Sequence, residues 1–237
     1  MKQAVLEAIQ AKVTKENFEF LQKFHEFFLM SSPEPYICCF SSEDDLLSQW
    51  RSYANDGRGV SIGFNRAAMP FKHKQPSVGA TKPEFLGIGE VFYKEKETLY
   101  KEISEYIDQV LLFETLPGMM RSEKMSEAVK YLHNESYYTK NNYFSEEKEI
   151  RVIHLPANFT NHEGIHMDAG SLSELNFRVT GNKITSYYEF DFSQIEQPIV
   201  EVVFGPKCEL NSEQVKFLLD SNGLGKVKLR RSGASYQ

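Results

Sequence analysis

The stretch that most constrains the fold runs from Tyr36 to Phe64. "YICCF" (36–40) is a compact apolar run of strand length. "DDLLSQWRSYA" follows as a helix, with Ser42 and, three places on, Asp45 as its N-cap signal. The turn "NDGRG" then leads into "VSIGF" (60–64), where apolar Val60, Ile62 and Phe64 alternate with small Ser61 and Gly63. Such a strand, helix and strand unit must bury one face, so further strands are needed to complete a sheet.

The rest of the chain supplies them. Residues 3 to 29 read as one long helix, with Val5, Leu6, Ile9, Val13, Leu21, Phe24 and Phe28 on one stripe, ended by "SSPEP". Residues 70 to 84 hold prolines and Gly79 and read as a loop, after which "FLGIGEVFY" returns to strand. Helices are expected over roughly 95–115 and 119–138, separated by "LPGMM". "FSEEKEIRVIH" (144–154) reads as a strand, "PANFTNHEGIHMDAG" as a loop, and "LNFRVTGNKITSYYEFDF" as a hairpin turning at Gly181-Asn182. "IVEVVFGP" is a further strand, "NSEQVKFLLDSNG" a capped helix and "KVKLRRS" a last strand. Helices and strands intersperse without strict alternation, which points to an α+β fold on a mixed or largely antiparallel sheet with flanking helices and the long N-terminal helix. No linker divides the chain, so residues 1–237 are read as a single domain.

Charge narrows the partners. The net charge of -6 argues against nucleic acid as the main partner, although Lys226, Lys228, Arg230 and Arg231 form a local basic cluster. The odd cysteine count, Cys38, Cys39 and Cys208, suits free thiols in a reducing compartment. With no membrane-length apolar run and charge throughout the N-terminal stretch, the expectation is a cytoplasmic protein.

The chemistry-bearing stretch is "FSEEKEIRVIH". On a strand, positions two apart share a face about 6.5 to 7 Å from one another. Ile150 and Val152 then point to the core, while Glu147, Glu149 and Arg151 leave the opposite face. Two carboxylates that close need a cation or solvent to stay charged, and Arg151 is placed to supply one. Such a pair can steady a developing cation or hold a sugar hydroxyl; the competing reading is a solvated sheet face with cross-strand ion pairs.

A second candidate is "WRSYANDGRGVSIGF". Trp50 and Tyr53, three apart on a helix, are neighbours, with Arg51 beside them, and Ser61 and Gly63 leave room on the following strand for a flat ligand. The competing reading is that Trp50 and Tyr53 only pack the helix down. The glycines match neither a Walker loop nor a dinucleotide fingerprint. His162 and His166 in "HEGIH" lack the spacing and helix of a zinc motif, so no metal ligands are assigned, and there is no G-x-S-x-G elbow.

Taken together, "CCFSSEDDLLSQWRSYANDGRGVSIGFN", "KNNYFSEEKEIRVI", "IVEVVFGP" and "KLRRSGASY" resemble the bacterial domain-of-unknown-function 2971 family, in order over most of residues 36 to 236. The chain lacks the F-N-D-P-x-E segment with which that family usually begins, and Phe144 stands where the family has Trp before E-K-E-x-R. The resemblance picks out Trp50, Tyr53, Gly59, Gly63, Glu147, Glu149 and Arg151.

Two functional readings follow. The E-x-E pair is similar to that of ADP-ribosyltransferases, α+β domains that grip NAD. By that likeness Glu149 is the catalytic carboxylate, Glu147 orients the acceptor, Tyr53 stacks on the nicotinamide, and Trp50, Arg51, Ser61, Gly63 and Arg151 line the ligand, with NAD or a related nucleotide as cofactor. The alternative is a non-catalytic binding or regulatory module, for instance in bacterial stress or phage defence, meeting a protein partner or small ligand and forming a homo-oligomer through its Phe-rich N-terminal helix. A deep pocket at the charged face favours the enzyme, a flat exposed face the module.

Overall fold

The computed structural model describes residues 1–31, 34–79, 81–160, 166–169 and 172–234. The architecture is α+β, with mostly antiparallel small sheets. Contacts gather into two compact units: Met1–Pro35 with Gly89–Ser145, and Tyr36–Ile88 with Glu146–Gln237.

The first unit is helical. The expected single N-terminal helix is two, α1 (Lys2–Lys12) and α2 (Phe18–Met30). The reason is local. Asn17 accepts from the Thr14 backbone at 2.7 Å, donates its own backbone N–H to the Thr14 hydroxyl at 3.4 Å, and donates its side-chain amide to the Lys12 carbonyl at 3.0 Å. One side chain thus ends α1 and organises the turn into α2, satisfying backbone groups that a break would otherwise orphan. Both helices bury their stripes, Ala4, Val5, Ala8 and Ile9 on the first and Phe20, Leu21, Phe24 and Phe28 on the second. They pack with α4 (Lys96–Leu111) and α5 (Gly118–Tyr138), through Ile103, Ile107, Val110, Ala128, Val129 and Leu132. Between α2 and α4 in sequence lies α3 (Leu47–Tyr53), which belongs to the other unit. Phe24 and Phe28, expected on the apolar stripe, are core.

Two short strands complete this unit. β4 (Phe92–Lys94) and β5 (Thr139–Asn141) pair in parallel, Phe92 with Thr139 and Lys94 with Asn141. "FLGIGEVFY" is thus not one strand: β3 (Gly87–Glu90) ends before it, and the two pieces join different sheets. β5 had no sequence signal, because three residues are too few for a period to register.

The second unit holds the strand, helix and strand stretch as expected: β1 (Tyr36–Ser41), α3 and β2 (Val60–Phe64). β1 pairs antiparallel with β6 (Glu149–His154), and β3, whose first two residues belong to this unit, flanks β6 on its other side. A second sheet has the order β12, β11, β2: β11 (Ile199–Phe204) runs antiparallel to β2 and parallel to β12 (Lys228–Arg231). Between β11 and β12 comes α6 (Ser212–Ser221), capped by Asn211, whose side chain accepts from the backbones of Glu213 and Gln214. The stretch expected to be a loop after β6 instead pairs β7 (Ala157–Thr160) with β8 (His166–Ala169). The hairpin of β9 (Asn176–Thr180) and β10 (Lys183–Tyr187) turns at Gly181-Asn182, where Gly181 has φ +58, as its sequence predicts.

Candidate functional site

The register fixes the faces of β6. Glu149 stands opposite Ser41 and Arg151 opposite Cys39, while Ile150 and Val152 stand opposite Phe40 and Cys38. Glu149 and Arg151 therefore share one face, as the alternation requires. Glu147 does not join them on the strand. It ends a 3-10 segment, Asn142–Glu147, and Lys148, with φ +46, turns the chain between the two acids. The turn is held from β1: the Ser41 hydroxyl donates to the Glu147 carbonyl at 2.8 Å, and the Ser42 N–H to the Lys148 carbonyl at 2.9 Å.

Glu149 does not lie on a solvated face. It is 5% exposed, and Arg151 grips it with two donors, Nε to Oε1 at 2.8 Å and Nη2 to Oε2 at 3.3 Å. A bidentate pair of this kind is strong and geometrically specific, and its low exposure removes the solvent screening that weakens surface ion pairs. Burial works against the guanidinium charge, but the hydrogen bonds and charge of Glu149 outweigh it and hold the Arg151 pKa above its ordinary value.

Cys39, across the ladder from Arg151, completes the cluster. Burial around the sulfur, then the hydrogen bond and negative charge of Glu149, push its thiol up to about 12, with Arg151 giving a partial offset. The residue as a whole is exposed, yet its thiol stays protonated and donates toward the carboxylate. Sequence reasoning missed Cys39 because its partner lies across the sheet rather than along the chain.

The other candidate stretch is organised by Asp45. The helix expected to start at the Ser42 and Asp45 caps begins at Leu47, and Leu46 makes no side-chain cap. Asp45 Oδ1 instead accepts from Trp50 Nε1 at 2.7 Å and from the Ser232 hydroxyl, and Oδ2 accepts from the Gly233 N–H at 2.7 Å. Arg230 adds charge at 3.6 Å, and also reaches Asp44 and, at 3.3 Å, Glu201. Desolvation pulls the Asp45 carboxyl upward, but the bonds from Ser232, Trp50 and Gly233 and the charge of Arg230 together hold its pKa below the usual value. Trp50 is 2% exposed, whereas Tyr53 is 71% exposed and Arg51 is also exposed. Ser61 and Gly63 are half-buried, and a Cβ at Gly63 would stand 3.4 Å from the Cβ of its cross-strand partner Glu201.

The glycine turn is equally committed. Asn55, Asp56 and Gly57 all have positive φ, of 49, 58 and 81. Such a run is strained for non-glycine residues and must be held by its surroundings. The Gly57 N–H reaches the Trp50 carbonyl at 2.9 Å, and the Gly57 and Gly59 carbonyls accept from Lys207 and Gly205 at 2.9 and 3.0 Å. A Cβ at Gly205 would lie 2.4 Å from the Gly57 oxygen. "NDGRG" and "FGPK" thus interlock backbone to backbone.

Residues 49–152 match the model of a family described as "Protein of unknown function (DUF2971)". Over that segment, which is less than half of the 237 residues, the chain is similar to that family. The DUF2971 match takes in Trp50, the glycine turn, the helices α4 and α5, and the Glu149 and Arg151 pair. No curated protein and no solved structure matches the chain.

Two recesses, of about 560 and 220 Å³, are lined by residues of the helical unit; Glu147, Glu149 and Arg151 line neither. Among the described residues, no cluster of His, Cys, Asp and Glu could hold a metal ion, and no helix is long and apolar enough to cross a membrane. His162 lies outside the described residues.

Proposed function

We propose that the chain is a non-catalytic binding or regulatory module, in which the E-x-E stretch serves the fold and the ligand or partner is met by exposed side chains, Arg51 and Tyr53 on α3 foremost. The observation that carries this reading is the state of Glu149. A carboxylate that stabilises an oxocarbenium-like state must face the reacting sugar across an open site. Glu149 is 5% exposed and has both oxygens on Arg151. Freeing it would break that bidentate pair, a cost that substrate binding would have to meet. Glu147 ends a 3-10 turn and does not share the strand with Glu149. Trp50 is committed to Asp45 in the interior, while Tyr53 and Arg51, on the same short helix, face solvent on a rigid support.

The test is nicotinamide release from NAD by the purified chain beside Glu149→Gln. The expected result is no release by either protein. Release by the wild type that disappears in a folded Glu149→Gln variant overturns the reading and makes the pair catalytic.

A further inference from the structure

The imidazole of His133, on α5, is buried in the helical unit at 6% exposure, and its role there is independent of how Glu149 is read. Its ring lies flat on that of Phe28 from α2, with centroids 4.6 Å apart and planes 8° from parallel. Phe28 belongs to the last turn of α2, where Phe27, Leu29 and Met30 are all exposed. The stack on His133 therefore fastens the one buried side chain of that turn.

The polar edge of the ring is poorly provided for. Nε2 of His133 has no hydrogen-bond partner among the described residues, and neither has Oδ1 of Asn134, the next residue, which is also buried. Burial disfavours the charged ring, and Lys2 on α1 opposes it with a like charge. The Phe28 backbone pulls the other way, and the balance holds the pKa below the ordinary histidine value. The acids on the surrounding helices have other partners. Glu26 on α2 accepts from Gln22 at 2.9 Å, Glu7 on α1 accepts from Gln3 at 2.7 Å, and Glu135 on α5 stands 3.8 Å from Lys94. The remaining titratable groups near the stack are His25, one turn before Phe28, and Lys130 and Tyr137, one turn to either side of His133. Among the described residues, no carboxylate pairs with the ring.

We infer that His133 is an acid-sensitive latch: the neutral ring holds the last turn of α2 against α5, and a proton on it releases that turn. In the imidazolium both nitrogens are donors, and Nε2 meets no acceptor where it lies. A ring face is a weak partner for a buried cation, so the charge is better hydrated with α2 moved away. With the folded value depressed, the released form binds more protons than the packed one. The stack is thus at full strength above the ordinary histidine range and weakens as pH falls through it. Each further pH unit multiplies the released population by about ten until the folded value is reached. Carboxylates, which titrate lower, do not share this window.

The experiment follows hydrogen exchange of the α2 amides in the full chain from about pH 7.5 to about pH 5, corrected for the intrinsic rate, beside His133→Phe and His25→Gln. Protection of the last turn of α2 is expected to fall by about tenfold or more in the wild type and in His25→Gln. It stays level in His133→Phe, whose ring keeps the stack but takes no proton. No fall in the wild type, a fall that persists in His133→Phe, or one that His25→Gln abolishes overturns the latch. NMR titration of His133 Cε1 in the wild type decides the matter even where the variant fails to fold. A midpoint below the ordinary histidine value, reached together with the loss of α2 protection, is expected. A midpoint at or above that value, or a titration that leaves α2 protection unchanged, overturns the inference.

Discussion

The Ser232 hydroxyl donates to Oδ1 of Asp45, a residue 187 positions earlier in the chain. Through that carboxylate the end of β12 is tied to the Trp50 indole, and so to the start of the glycine turn that begins after α3. The charge is central to the tie, since each of the bonds is made to an ionised acceptor. Asp45→Asn is expected to cost about 2 kcal/mol at neutral pH. Because the folded pKa is depressed, this contribution is present above the ordinary aspartate range and is lost as pH falls through the folded value. Urea midpoints measured from pH 7 downward show a steeper acid loss for the wild type than for Asp45→Asn.

Gly205 tests the backbone interlock. Alanine there must place its Cβ within 2.4 Å of the Gly57 oxygen and 2.9 Å of the Gly59 oxygen, atoms that are themselves held in hydrogen bonds. Gly205→Ala is expected to destabilise by about 3 kcal/mol. Gly118→Ala, at the open first position of α5, is neutral or stabilising by about 0.5 kcal/mol. Thermal unfolding of the two variants separates the predictions.

Cys39 reports on Glu149 chemically. With its thiol pushed up to about 12, roughly one molecule in ten thousand carries the thiolate at pH 8. In a Cys38→Ser background, alkylation of Cys39 by iodoacetamide is expected to be about a thousandfold slower than that of an unperturbed thiol. Adding Glu149→Gln removes a like charge and an acceptor and speeds the reaction, without restoring the full rate, because burial is the larger cause.

Much of the fold was legible where a period runs long enough to register. β1, β2, β11 and the hairpin of β9 and β10 stand where their alternation and turn residues place them. The break between α1 and α2 was hidden, because the apolar stripe continues through Val13, while the decision rests with the side chain of Asn17. "FSEEKEIRVIH" alternates throughout, yet Lys148 adopts a left-handed conformation and removes Glu147 from the strand. Alternation also identifies which side chains share a face but not what covers them. The face of Glu149 and Arg151 was therefore readable from sequence, and its burial was not. Asp45 was noticed for the wrong reason, as a helix cap, since its real donors Ser232 and Gly233 arrive from the far end of the chain.

The central claim is that Glu149 and Arg151 form a structural pair. Urea unfolding of the wild type, Glu149→Gln, Arg151→Met and the double variant tests it most directly. A pair that serves the fold predicts a loss of about 3 kcal/mol for each single change and a double variant less destabilised than their sum, because both single changes remove the same low-exposure bidentate pair. A Glu149→Gln variant as stable as the wild type, or more stable, is the signature of a carboxylate held against stability for use on a ligand, and contradicts the account.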